Sequence, residues 1–308
     1  MDAFSPFKGN GTSLFNSDAL VPNPVRYPIY HIQAPSLIPG LKDNYLALLA
    51  PIVAYWAYSL FFYVLDLDIF EWPSKYRIHE SEEMRSKNLA SPWDVFLAVV
   101  FQHVVQTVLG VFWLDESGKN TRNHLEDMRQ LSMQVSWIII NLLGHDRGSA
   151  FLQASGQKMI PWLYWWGIPI VQFLFAIFII DTWQYFIHRA MHINKTLYKY
   201  LHSVHHRLYV PYAYGALYNN PLEGFIMDSL GAAISEYLSG STNRQATVLF
   251  VLSTLKTVDD HCGYRLPWDP FQILCRNNAD YHDIHHQALS TTLANLGSSV
   301  GTSYSARV

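Results

Sequence analysis

The sequence predicts an all-α fold, a polytopic membrane helix bundle carrying a histidine-rich helical site able to hold two metal ions. Three observations carry that prediction. The chain of 308 residues is 50% hydrophobic but only 15% charged, well under the roughly 25% usual in soluble domains. Residues 46–65, 95–114 and 161–180 each run without a charged side chain and carry Trp or Tyr near their ends. About twenty such positions cross a hydrocarbon core of ~30 Å, and interfacial aromatics mark its edges. Eight of the 14 histidines fall into three tight clusters.

Read in order, residues 1–43 are polar and rich in Pro, Gly, Asn and Ser, with no charged start leading into an apolar core. They predict a flexible tail and no signal peptide. The Asn10-Gly11-Thr12 sequon is a weak match. Residues 44–181 form the transmembrane region. Its first two spans are joined by a charged loop holding a short amphipathic helix around Glu80–Lys87, and a polar loop covers 115–130. Residues 133–144 are apolar but short, fitting a re-entrant, interfacial or thin spanning segment. The third span runs on through Asp181-Thr182-Trp183-Gln184-Tyr185-Phe186-Ile187 into the first histidine cluster, so one helix can leave the bilayer and present the cluster at its surface.

Residues 182–287 form the histidine-cluster region. A proline- and aromatic-rich turn, Tyr209 to Gly215, follows the second cluster. Two further helices are predicted over 222–238 and 245–258; Glu223, Asp228, Glu236 and Lys256 interrupt or flank them, so they should be partly buried in protein. Residues 288–308 are Ser/Thr-rich and read as a divergent, loose tail. No repeat and no second domain is evident.

The net charge of −3 and the absence of a basic block argue against nucleic acid as a partner. Cys262 and Cys275 are too few for a disulfide framework or a thiolate metal site. Lys and Arg are spread too evenly among the loops to fix the topology.

The clusters are His188 with His192, then His202, His205 and His206, then His282, His285 and His286; His261 stands between the last two. On a helix, residues three and four apart share a face. Each cluster is therefore expected to offer two or three imidazoles to a single point, which is more nitrogen than one metal uses. Imidazole suits Zn, Cu, Fe and Ni alike, so the metal stays open at this level. The first cluster lacks the glutamate of H-E-x-x-H. His31, His79, His124 and His145 read as hydrogen-bonded core residues, and His103, alone in the second span, as a polar packing contact. Asp181, Asp259, Asp260 and Asp283 are candidates to orient imidazoles through their second nitrogen. A nearly all-histidine set at a lipid interface suits O₂ activation and attack on an unactivated C–H bond; dimetal hydrolases commonly mix carboxylates into the set.

The stretches His202-Ser203-Val204-His205-His206-Arg207-Leu208-Tyr209-Val210-Pro211-Tyr212-Ala213, Ala216-Leu217-Tyr218-Asn219 with Pro221 and Glu223-Gly224, Lys256 to Tyr264 and Tyr281-His282-Asp283-Ile284-His285-His286-Gln287 carry a resemblance. Over about residues 45–287 the chain resembles the fatty acid hydroxylase and sterol desaturase superfamily of membrane non-haem diiron enzymes, and within it the fungal sphinganine C-4 hydroxylases. The resemblance implies two non-haem Fe ions held by His188, His192, His202, His205, His206, His261, His282, His285 and His286. It implies an O₂-dependent hydroxylation at C-4 of sphinganine or dihydroceramide, giving the phyto form. Electrons would come from NAD(P)H through a reductase and a separate cytochrome b5. The site would be the endoplasmic reticulum membrane, with the histidines facing the cytosol. Two departures stand out: Asn220 occupies a position where relatives commonly carry histidine, and the match stops at Gln287. They leave a catalytically impaired homologue acting as a binding subunit as one alternative. A sterol desaturase or sterol methyl oxidase of the same superfamily is the other.

Overall fold

The computed structural model describes residues 15–114 and 122–296. The sequon at Asn10, the first part of the predicted tail, the first part of the polar loop after the second span and the end of the C-terminal tail lie outside them. Among the described residues there is no β-strand, only isolated bridges at Ile38–Leu41 and Arg77–Tyr264. The chain is all-α, as its composition predicts.

Among the described residues, three helical runs are long and apolar enough to cross a membrane: Asp43–Asp66, Pro92–Trp113 and His145–Ile193. Their most apolar windows are only 22%, 22% and 17% buried. Faces this apolar and this open need lipid, since soluble proteins rarely expose such patches. Helix α1 is Asp43–Asp66. The short amphipathic helix expected in the first loop is α2, Ser81–Lys87. Helix α3, Pro92–Trp113, starts where its sequence allows, with proline in the first turn and the Ser91 hydroxyl accepting from Asp94 N at 3.1 Å.

The third run begins earlier than its uncharged core. Helix α5, His145–Trp162, passes through the π-helical turn Leu163–Gly167 into α6, Ile168–Ile193. The apolar stretch 133–144 is the second half of α4, His124–Leu143, which is not among the helices long and apolar enough to span. Gly144, at φ +80°, makes the turn from α4 to α5. A Cβ at Gly148 would lie 2.9 Å from the Ile140 backbone, so these two helices approach at a contact only glycine permits.

The chain divides into two compact units. In the first, residues 15–35 pack with α4, α5 and the chain to Gln172. Here the expected loose tail is ordered instead. Leu20 and Val21 are buried with Met128, Leu152, Ile160 and Trp165, and Ser132 Oγ donates to the Ser17 carbonyl at 2.6 Å. A few apolar anchors in a polar segment suffice to dock it. His31 and His124 sit here as predicted for core histidines, both against the Trp165 ring. His145 does not: its side chain is exposed at the start of α5.

In the second unit, α1 lies along α10, Asn243–Asp260, whose N-terminus carries a capping box of Thr242 and Gln245. The predicted helix over 222–238 forms in three pieces: α8 (Pro221–Gly224), a π turn (Phe225–Leu230) and α9 (Gly231–Ser239). The one-turn α7, Lys195–Leu197, leads into the second histidine cluster; α11, Pro270–Leu274, precedes the last helix. That helix, α12, runs from Ala279 to Leu296, so backbone expected to be loose from 288 onward is helical up to that point. The core gathers Tyr55, Phe62, Val95, Val99, Leu208 and Tyr264.

One polar contact locks α1 to α10. Asp43, fully buried, accepts from Arg244 Nε at 2.7 Å and from Leu37 N at 2.8 Å. Removing one partner of a buried pair strands the other charge at a cost of about 3 kcal/mol. Arg244→Ala should therefore lower the thermal midpoint of the detergent-solubilised protein by several degrees, and Asp43→Asn/Arg244→Ala should recover most of that loss. An unshifted single mutant would show that the pair contributes nothing.

Candidate metal centre

Four segments converge. Helix α6 delivers His188 and His192 one turn apart at its C-terminal end. The π turn Tyr198–His202 and the 3-10 turn His205–Arg207 deliver the second cluster. His261 closes the C-terminus of α10, and α12 presents His282, His285 and His286.

The nine imidazoles form two groups: His188, His192, His202, His206 and His285 in one, His205, His261, His282 and His286 in the other. Within each, all ligand atoms lie within 4.8 Å of one another. The expectation that each cluster addresses a single point is thereby corrected, since the second and third clusters are both divided. The reason is helical geometry. At 100° per residue, positions 282 and 286 differ by about 40° around α12, whereas 285 and 286 differ by about 100°. His285 therefore turns towards α6 while its neighbours face His261.

In the first group, His192 Nε2 lies 2.8 Å from His188 Nε2 and 2.9 Å from His202 Nε2. His285 Nε2 is 3.1 Å from both His188 and His192, and His206 Nε2 is 3.1 Å from His202. In the second, His261 Nε2 stands 2.9 Å from His282 and 3.4 Å from His205, with His286 3.2 Å from His282. Nitrogens bound at ~2.0–2.1 Å to one metal are about 2.9 Å apart in an octahedron and about 3.4 Å in a tetrahedron. The spacings match the edges of such polyhedra.

Hydrogen bonding on the far side of the rings strengthens this. His261 Nδ1 donates to the Thr257 carbonyl at 2.7 Å and His205 Nδ1 to the Tyr218 carbonyl at 3.2 Å. Both neutral rings then present bare lone pairs at Nε2, facing each other across 3.4 Å. That arrangement is repulsive by itself and is relieved by a cation between them. Burial holds the imidazoles neutral, as a metal requires: it pushes His261 down to about 3 and His205 and His285 to about 4. His202, His206, His282 and His286 are lowered by burial and, secondarily, by neighbouring imidazoles. The donor set and its tautomers fit a metal at each group.

The orienting carboxylate is not one of the four expected. Asp181 is exposed on α6, Asp260 pairs with Lys256, and Asp259 accepts from Gln272 and Tyr58. Asp283 does hold a histidine, but it is His79, at 3.0 Å, which also bonds Glu83 of α2 at 2.9 Å. This ties α2 to α12 beside the second group. The residue that reaches a clustered imidazole is Glu223, whose Oε1 lies 2.5 Å from His202 Nδ1 with both side chains buried. Burial, and then the nearby Asp228, push its carboxyl up to about 8. In the sequence Glu223 stands out as a charge interrupting an apolar helix and as part of the family-like stretch, and neither marks it as a histidine partner.

Asn220 caps α8. Its Oδ1 accepts from Leu222 N at 2.9 Å, and its Nδ2 donates to the Tyr200 carbonyl at 3.2 Å.

Two metal points with separate ligand sets should be separable. We expect His261→Ala to lower bound metal from about two ions per chain towards one, and His188→Ala to remove the other ion, by elemental analysis of purified protein. Glu223→Gln should weaken binding at the five-histidine group by about 10–100-fold; equal loss from both groups would contradict the division. For metal-stripped protein the sign of the pH effect is fixed. Histidines with folded pKa values of about 3 and 4 against ~6.5 unfolded favour the fold fully above ~6.5. Stability should fall as pH drops from there towards 4, and a flat melting profile across that window would contradict the burial of neutral rings.

Comparison with known proteins agrees with this geometry. The family model described as fatty acid hydroxylase matches residues 173–302, so the match runs past Gln287, where the sequence reading has it stop. The chain is 47% identical over 258 residues to the sphingolipid C4-hydroxylase of Saccharomyces cerevisiae, covering 82% of this chain and 67% of the yeast protein. It is 43% identical to the sphingolipid C4-hydroxylase of Schizosaccharomyces pombe, over 79% of this chain and 80% of that one. It is 40% identical to sphinganine C4-monooxygenase 2 of Arabidopsis thaliana, over 82% of each chain. No solved structure matches. With two divided histidine groups at the end of a membrane bundle and relatives this similar over most of their length, the chain belongs to the fatty acid hydroxylase family.

Proposed function

We propose that this protein is a sphinganine C4-monooxygenase, hydroxylating C-4 of the sphingoid base, as sphinganine or dihydroceramide, to the phytosphingosine form. The observation that carries the reading is the pair of histidine groups, five and four imidazoles, presented where α6 leaves its apolar run. Its relatives' names supply the reaction class. The nine histidines are the metal ligands and residues 182–287 the catalytic region. The metals are two non-haem irons, which when bound supply O₂ activation at a C–H bond. Electrons come from NAD(P)H through cytochrome b5 and its reductase. The protein resides in the endoplasmic reticulum membrane with the histidines on the cytosolic side.

The chain's own residues do the positioning. The Thr257 and Tyr218 carbonyls and the Glu223 carboxyl hold His261, His205 and His202 by Nδ1, leaving Nε2 for the metal. The His79–Asp283 contact fixes the face of α12. Burial of His202, His205, His206 and His286 excludes water from the reacting volume.

The test is a lipid mass-spectrometric profile of cells lacking their own C-4 hydroxylase, with and without this chain. We expect 4-hydroxysphinganine to appear, and His205→Ala to abolish it while the protein still inserts in the membrane. A chain present in the membrane that yields no 4-hydroxy base overturns the reading, and an altered sterol profile would then favour the sterol-oxidising alternative. Normal turnover by His205→Ala would overturn its place as a ligand.

A further inference from the structure

A cavity of about 400 Å³ opens between α1, α3, α6, the π turn, α9 and α10. One end abuts the histidine frame: its lining includes Thr257, whose carbonyl holds His261, and Gln184, one turn before His188. The lining is largely apolar, as suits an alkyl chain. Its ionisable groups are nevertheless the wrong kind for a fatty acid, since they include Asp228 and Glu236 and, among the described residues, no Lys or Arg.

Asp228 is the unusual one. It lies on the π turn about one turn past Glu223, is enclosed by protein atoms, and keeps part of its surface open to the cavity. Gln106 Nε2 on α3 donates to its Oδ2 at 3.3 Å. Among the described residues no cation offsets it, and burial alone pushes its carboxyl up to about 7. A desolvated carboxylate with an amide for company and no counter-ion is unfavourable unless the ligand brings the charge.

We propose that Asp228, held by Gln106, is the specificity-determining counter-ion for the ammonium group of an unacylated long-chain amino alcohol. This rests on the hydroxylase reading above and deepens it. In a sphingoid base the nitrogen sits on C-2, two carbons from C-4, so the group Asp228 binds and the carbon that reacts are close neighbours on the lipid. An N-acylated base has no ammonium and gains nothing from Asp228. The contact orients substrate and discriminates between the two lipids; it takes no part in the oxidation.

The experiment uses full-length protein in phosphatidylcholine nanodiscs. Binding of sphinganine and of N-acetylsphinganine is measured for wild type, Asp228→Asn and Gln106→Leu, with hydroxylation of both lipids followed in parallel in the iron-loaded protein supplied with NADH, cytochrome b5 and its reductase. We expect Asp228→Asn to lower the sphinganine to N-acetylsphinganine affinity ratio at least tenfold, and Gln106→Leu to lower it by a smaller factor. A ratio unchanged in both variants, or equal loss for both lipids, overturns the assignment. The two readings fail separately. Asp228-dependent sphinganine binding without any 4-hydroxy product supports the ammonium site and overturns the hydroxylase. Product formation with an unaltered ratio in both variants overturns the site alone.

Discussion

Neutral imidazoles meeting nitrogen to nitrogen set the terms for the rest of the molecule. His205 and His261 each give away their only N–H to a backbone carbonyl and then face one another across 3.4 Å. Such a contact persists only when packing over-determines it and a cation relieves it. The packing comes from four segments of distant sequence, and three of them are pinned nearby. Glu223 holds the second cluster, Thr257 holds the end of α10, and His79 with Asp283 holds α12.

Helical irregularity serves the same end. The second cluster begins at the end of a π turn and continues into a 3-10 turn. Glu223 and Asp228 flank the start of another π segment. Changing the residues per turn rotates side chains away from the positions a regular helix would give them. Single-turn π segments are found disproportionately at functional sites for that reason. The site thus stands on rigid elements but at their non-standard turns.

The same economy of charge that makes the chain a membrane protein sharpens the polar groups it keeps. In a low-dielectric bundle, an ion pair such as Asp43–Arg244 locks two helices, and a carboxyl without a cation becomes a binding group. Asp228 and Asp43 are chemically the same side chain; the partner on the facing helix separates structure from recognition.

By itself the sequence determined the all-α class, the three apolar runs, α2 and α10, and the nine candidate ligands. Those depend on composition, periodicity and short spacings, which are local. It misjudged residues 15–43 and the backbone just past 287, because a handful of anchors or the momentum of a helix can order a segment of unpromising composition. Only the tertiary structure decided the division of the histidines into five and four, the choice of Glu223 over Asp181, Asp259 and Asp260, and the place of Asn220 as a helix cap. Each depends on which face of one element meets another. Spacing along a chain says that His285 and His286 diverge by about 100°; it does not say what lies in either direction.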